Sequence, residues 1–133
     1  MSSIFSKIIK GEIPAYKVAE TEEFLAFLDV RPVAKGHVLC IPKEEVDYIF
    51  DMSDESYAKL MQFSKIVASG LKQAVPCKKI GITVIGLEVP HAHVHLVPMN
   101  ELNDMNFSAP RPEFTKEEFE SLATEIKIAI SSL

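Results

Sequence analysis

The chain has 133 residues and a mass of 14.8 kDa, the size of one domain built on one hydrophobic core. Apolar residues make up 47% and charged residues 25%, which excludes a disordered chain and a coiled coil. The net charge is −5 and no run of Lys or Arg exceeds two, so no nucleic-acid partner is expected.

The start, Met1-Ser2-Ser3-Ile4-Phe5-Ser6-Lys7, lacks the charged residues and apolar run of a secretory leader. Every apolar stretch is far shorter than the roughly 20 residues that cross a bilayer. These features imply no membrane partner and a cytoplasmic location. Cys40 lies in the apolar run Val38-Leu39-Cys40-Ile41 and Cys77 follows Pro76 at a turn. With no C-x-x-C pair, both are expected to be free thiols.

The first element is a short helix carrying Ile4, Phe5, Ile8 and Ile9, with Ser2 or Ser3 as N-cap and Gly11 and Pro14 ending it. Tyr16 and Val18 alternate with Lys17 and Ala19 and mark a short strand. Phe24 to Asp29 reads as a second strand. Arg31-Pro32 and Lys35-Gly36 connect it to a third, His37 to Ile41, closed by Pro42. A helical period takes over at Ser53. Tyr57, Leu60, Met61, Ser64, Val67, Ala68 and Leu71 form one largely apolar face that Pro76 terminates. Ile80 to Ile85 is mostly β-branched and reads as a buried strand. Gly86 to Pro90 is a link, and His91 to Val97 is the fifth strand. A looser segment follows, from Pro98 to Pro112. Thr115 with Glu118 three residues on is a capping box for a last helix, buried along Phe119, Leu122, Ala123, Ile126 and Ile130. The short strand links favour antiparallel pairing, so the class is α+β.

Three of the four histidines fall within five positions, His91-Ala92-His93-Val94-His95. In a strand they share one face, while Ala92, Val94 and Leu96 face the core. Neighbouring imidazoles would stand about 7 Å apart. Such a row suits proton transfer, nucleophilic attack or metal binding, because imidazole titrates near neutral pH and is also a common metal ligand.

His91-Ala92-His93-Val94-His95-Leu96-Val97 resembles the signature of the histidine triad (HIT) superfamily. Ile4-Phe5-Ser6-Lys7-Ile8-Ile9, Gly11-Glu12-Ile13-Pro14, Ala26-Phe27-Leu28-Asp29-Val30-Arg31-Pro32 and Gly36-His37-Val38-Leu39-Cys40-Ile41-Pro42-Lys43 are similar to the family's N-terminal half, in order. The resemblance implies a single HIT-like domain over residues 1–133, with its core in 4–98 and a C-terminal loop and helix in 99–133. It implies a five-stranded antiparallel sheet with helices, continued across a homodimer. The implied activity is hydrolysis or transfer at the α-phosphate of a nucleoside phosphoramidate or dinucleoside polyphosphate, without a cofactor or metal. His93 would be the nucleophile that carries the nucleotidyl group. His91 would position it, His95 would sit beside the phosphate or leaving group, and His37 matches a family histidine near the triad. Ile4, Phe5, Ile8, Phe27 and Val30 match positions around the base, and Asp29 matches the acceptor of the ribose hydroxyls.

The chain also departs from that pattern. Glu45 stands where many members have another His. Gly86-Leu87-Glu88 stands where many have Gly-Gln-Ser or Gly-Gln-Thr, so Glu88 puts a carboxylate at the nucleotide site where a hydroxyl would donate to phosphate. The preceding loop, Ile80-Gly81-Ile82-Thr83-Val84-Ile85-Gly86, is apolar and short. Ser108 is one candidate for a replacement hydroxyl. Two other readings stay open: a nucleotide-binding module with little catalysis, and a metal site of two or three triad histidines with Glu88.

Overall fold

The computed structural model describes residues 3–133. Ser2, one of the two expected caps, lies outside the described residues. Ser3 caps helix α1 (Ile4–Ile9), its hydroxyl accepting the Ser6 N–H at 3.0 Å. Gly11 follows at φ +79°, a left-handed turn that costs a residue without Cβ little and stops the helix.

The remaining elements are strands β1 (Lys17–Glu20), β2 (Phe24–Leu28) and β3 (Val38–Pro42), a 3₁₀ turn at Ile49–Asp51, helix α2 (Asp54–Ala74), strands β4 (Lys79–Thr83) and β5 (Val94–Met99), a 3₁₀ turn at Leu102–Met105, and helix α3 (Lys116–Ser131). The five strands form one sheet in the order β1-β2-β3-β5-β4, with every pair antiparallel. Helix α2 spans from β3 to the outer strand β4, and β5 returns between them. This is the α+β class that the strand links imply. Ser53 caps α2, and Thr115 with Glu118 forms the capping box of α3, as their spacing requires. No helix among the described residues is long and apolar enough to cross a membrane.

The pleat sorts the side chains into two cores. Phe24, Ala26, Leu28, Val38 and Cys40 point to one face, under Leu60, Val67 and Leu71 of α2 and Leu122 and Ile126 of α3. Leu25, Phe27, Leu39 and Ile41 point to the other, under Phe5 and Ile8 of α1. Strands β2 and β3 are buried on both faces, which is why they read as unbroken apolar runs. Ala92, Val94 and Leu96 join the first core. The histidines therefore lie on the α1 side, as alternation requires. Cys40 and Cys77 are free.

The strand bounds depart most from expectation at β5 and β4. Strand β5 begins at Val94, so His91 and His93 precede it and only His95 sits in the ladder, opposite Leu39 and Thr83. The Ala92 N–H bonds to the Val46 carbonyl and the His91 N–H to the Val89 carbonyl, which draws this stretch out of the sheet. Strand β4 ends at Thr83 rather than Ile85 and is half exposed rather than buried. It pairs with β5 on one side only, leaving Ile82 55% and Ile85 46% exposed.

Candidate active site

His93 has its Nδ1 2.7 Å from the His91 carbonyl oxygen. A carbonyl only accepts, so Nδ1 carries the proton and Nε2 holds a lone pair. The His91 ring is fixed from both sides. Its Nε2–H donates to the Pro42 carbonyl at 2.8 Å, and its Nδ1 accepts from the Ser3 hydroxyl at 2.8 Å. His37 accepts the Val33 N–H at Nδ1, 3.1 Å away, so its Nε2–H donates to His95 Nδ1 at 2.9 Å. His95 must then carry its proton on Nε2. Among the described residues, no fully buried side-chain nitrogen or oxygen lacks a hydrogen-bond partner. The Nε2 atoms of His93 and His95 make no bond among the described residues, so neither is fully sealed from solvent. One presents a lone pair, the other an N–H.

The two rings have centroids 4.8 Å apart, closer than the 7 Å or so of an ideal pleat, because His93 precedes the regular strand and leans toward His95. Burial pushes the His93 pKa down, that of His95 down to about 3, and that of His37 down to about 4. The neighbouring histidines and Arg111 add to the lowering at His95, while the Asp29 carboxylate opposes it at His37. All three rings are neutral at neutral pH, which leaves the His93 lone pair available.

Asp29 accepts the Arg31 N–H at 2.8 Å through Oδ1, and its Oδ2 stands 3.7 Å from His37 Nε2. A cleft of about 760 Å³ opens nearby, lined by Val30, Arg31, Glu88, Ser108 and Arg111, among others. Phe5, Ile8 and Phe27 meet behind the histidines and are buried, with the Phe5 ring edge-on to Phe27 at 5.5 Å and to His93 at 5.0 Å. Val30 is 62% exposed at the rim, whereas Ile4 is half exposed and does not line the cleft.

Two groups of residues escape a reading of the sequence. The first is the strap at 107–114. The Phe107 ring lies 4.9 Å from the His95 ring and 5.8 Å from that of His37. Arg111 donates to the Arg31 carbonyl at 2.7 Å and to the Phe107 carbonyl at 3.1 Å, and its guanidinium carbon sits 5.7 Å from the centre of the Phe107 ring. The sequence reads this stretch as a looser segment and singles out only Ser108 in it. The second group is Ser3, Ser6 and Glu45. Glu45 Oε1 accepts the Ser3 N–H at 2.5 Å and the Ser6 hydroxyl at 2.9 Å. A helix cap explains Ser3, but no local pattern joins it to Glu45 forty-two residues away.

Asp29, His37 and His95 each offer a donor atom, all within 4.8 Å of one another. This is a different set from the triad with Glu88. A metal needs lone pairs from its ligands. Here the His37 Nε2–H and the His95 Nδ1 lone pair serve each other, so an ion would have to break that bond.

The HIT domain family model matches residues 10–102. The chain belongs to the HIT family. The adenosine 5'-monophosphoramidase of Schizosaccharomyces pombe is 39% identical over 133 residues, spanning 98% of this chain and 99% of that protein. Among solved structures, a hypothetical histidine triad nucleotide-binding protein from Sulfolobus tokodaii superposes with a TM-score of 0.84 at 33% identity, over 98% of this chain and 93% of that one. A zinc-bound histidine triad family protein from Mycobacterium smegmatis superposes at 0.81 with 25% identity, over 99% and 95%. The HIT match ends before the strap, so Phe107 and Arg111 lie outside the part of the chain that defines the family.

Proposed function

We propose that this HIT protein is a nucleotide hydrolase of the phosphoramidase type, cleaving at the α-phosphate through a nucleotidyl group carried on His93. The observation that carries this is the His93 tautomer, with its proton held by the His91 carbonyl and its Nε2 lone pair unbonded among the described residues. The name of the S. pombe relative supports the substrate class.

His93 Nε2 attacks the α-phosphorus, a P–N bond forms to the imidazole, and the bond to the leaving group breaks. Water then attacks the same phosphorus and releases the nucleoside monophosphate and the free imidazole. Over both steps, water supplies the hydroxyl to phosphorus and the hydrogen to the leaving group. The His95 Nε2–H donates to a phosphoryl oxygen as charge develops on it. Asp29 accepts the ribose hydroxyls, and Val30 and the wall behind it take the base. A dinucleoside polyphosphate would react in the same way, with P–O cleavage.

The reading includes a homodimer whose sheets join. The outer strand β4 supports it, because Ile82 on that strand and Ile85 and Leu87 just beyond it are exposed. Light scattering on the purified chain tests it, with a dimer mass expected.

The activity test is AMP release from adenosine phosphoramidate by wild type and His93→Ala. Turnover that disappears in the variant is expected. Equal rates would overturn the reading, and nucleotide binding without turnover would leave a binding module.

A further inference from the structure

We propose that Glu45, Ser6 and Ser3 form a positioning relay that holds His93 in its reactive tautomer by fixing His91 behind it. This rests on the reading of His93 as nucleophile.

The hydrogens of the relay can be counted. Ser3 Oγ accepts the Ser6 N–H, so its own hydrogen is free to go to His91 Nδ1. The Ser6 hydroxyl gives its hydrogen to Glu45 Oε1, which also accepts the Ser3 N–H. Ser6 Oγ stands 3.3 Å from Ser3 Oγ and 3.5 Å from His91 Nδ1. Removing the Glu45 acceptor would free the Ser6 hydrogen to turn toward these two atoms and compete with the bond from Ser3.

The consequence reaches His93 through the backbone. The His91 carbonyl holds the His93 Nδ1–H, and only one residue lies between the two. Both partners of the His91 ring trace to one short stretch of chain. Pro42 supplies the carbonyl for Nε2, and Glu45, three residues on, anchors the two serines. Helix α1 adds a steric side to the same clamp. Between its two serines, Phe5 stands edge-on to both rings, its centre 5.9 Å from that of His91 and 5.0 Å from that of His93. The serines are buried and Glu45 is exposed, so the carboxylate acts as an acceptor at the rim and touches no reacting atom. Its pKa lies below the usual carboxylate range because of those same two serines, so it is ionised at neutral pH.

The test uses the full chain as wild type, Glu45→Ala, Glu45→Gln and Ser3→Ala. Three quantities are read: the ¹⁵N signals of the imidazoles, the affinity for AMP, and the single-turnover rate with adenosine phosphoramidate. Glu45→Ala and Ser3→Ala should lower the rate by about 10-fold or more while AMP affinity stays within about 2-fold. The His91 and His93 nitrogens should move toward averaged tautomers. Glu45→Gln keeps an acceptor oxygen, and should keep the rate within about 2-fold and the wild-type signals.

Unchanged rate and unchanged imidazole signals in Glu45→Ala would overturn the relay. So would a glutamine variant as damaged as the alanine one, or a loss of AMP affinity in step with the rate. The imidazole spectra need no turnover. A wild type without activity would therefore defeat the functional reading, while the spectra would still decide the relay.

Discussion

Acid should weaken this fold through its histidines before its carboxylates protonate. An unfolded His takes up a proton near pH 6.5. In the folded chain His37 waits until about 4 and His95 until about 3, because both are buried as neutral rings. Between those limits the unfolded chain holds more protons, so stability rises with pH and falls on acidification. One extra proton is worth about 1.4 kcal/mol per pH unit, and two histidines carried from pH 7 to 5 would account for about 4 kcal/mol. Their shared hydrogen bond couples the two titrations and cuts this, and about 2 kcal/mol is the expected loss. Glu20, Glu45, Asp104 and Glu118 have lowered pKa values, so their contributions disappear only at still lower pH, outside this window. Urea unfolding at pH 7, 6 and 5 reads the effect, and His95→Asn should flatten the slope. Stability that stays level from pH 7 to 5 and drops only below 4.5 would refute the reasoning.

Arg111→Gln removes a positive charge that depresses His37 and His95, so the C–H signals of both rings should titrate at higher pH; a downward shift would contradict the strap's place beside them. Gly70→Ala puts a Cβ about 2.9 Å from the Ile130 backbone, where α2 packs against α3. The gain of about 1 kcal/mol in helix propensity should lose to a packing cost of about 1–3 kcal/mol, lowering the unfolding midpoint; a higher midpoint would mean that the helices separate freely. Treatment with EDTA should leave turnover unchanged, since His37 and His95 already satisfy each other; activity lost and then restored by Zn²⁺ would place an ion among Asp29, His37 and His95.

Much of the fold can be read locally. The Ser53 cap, the Thr115 capping box and the stop at Gly11 each arise from bonds within a few residues, so the sequence carries them directly. The period of two placed Ala92, Val94 and Leu96 in the core and the histidines opposite, although the strand itself starts later. What escaped depends on long-range polar contacts. Glu45 with Ser3 and Ser6, and Arg111 with the Arg31 carbonyl, join residues about 40 and 80 positions apart. Such contacts leave no periodic trace, and a reading by family pattern marks Glu45 only as a missing histidine. The exposure of β4 escaped for another reason: a β-branched run signals a strand but not whether a second strand covers it.

The decisive measurement is the mass of the intact chain during turnover of adenosine phosphoramidate, sampled by rapid quench into alkali, which preserves a phosphorus–imidazole bond. Attack by His93 requires a transient gain of one adenylyl group on the peptide that carries His93, absent from His93→Ala. Turnover without such an adduct at any time point, or an adduct on another residue, would contradict it.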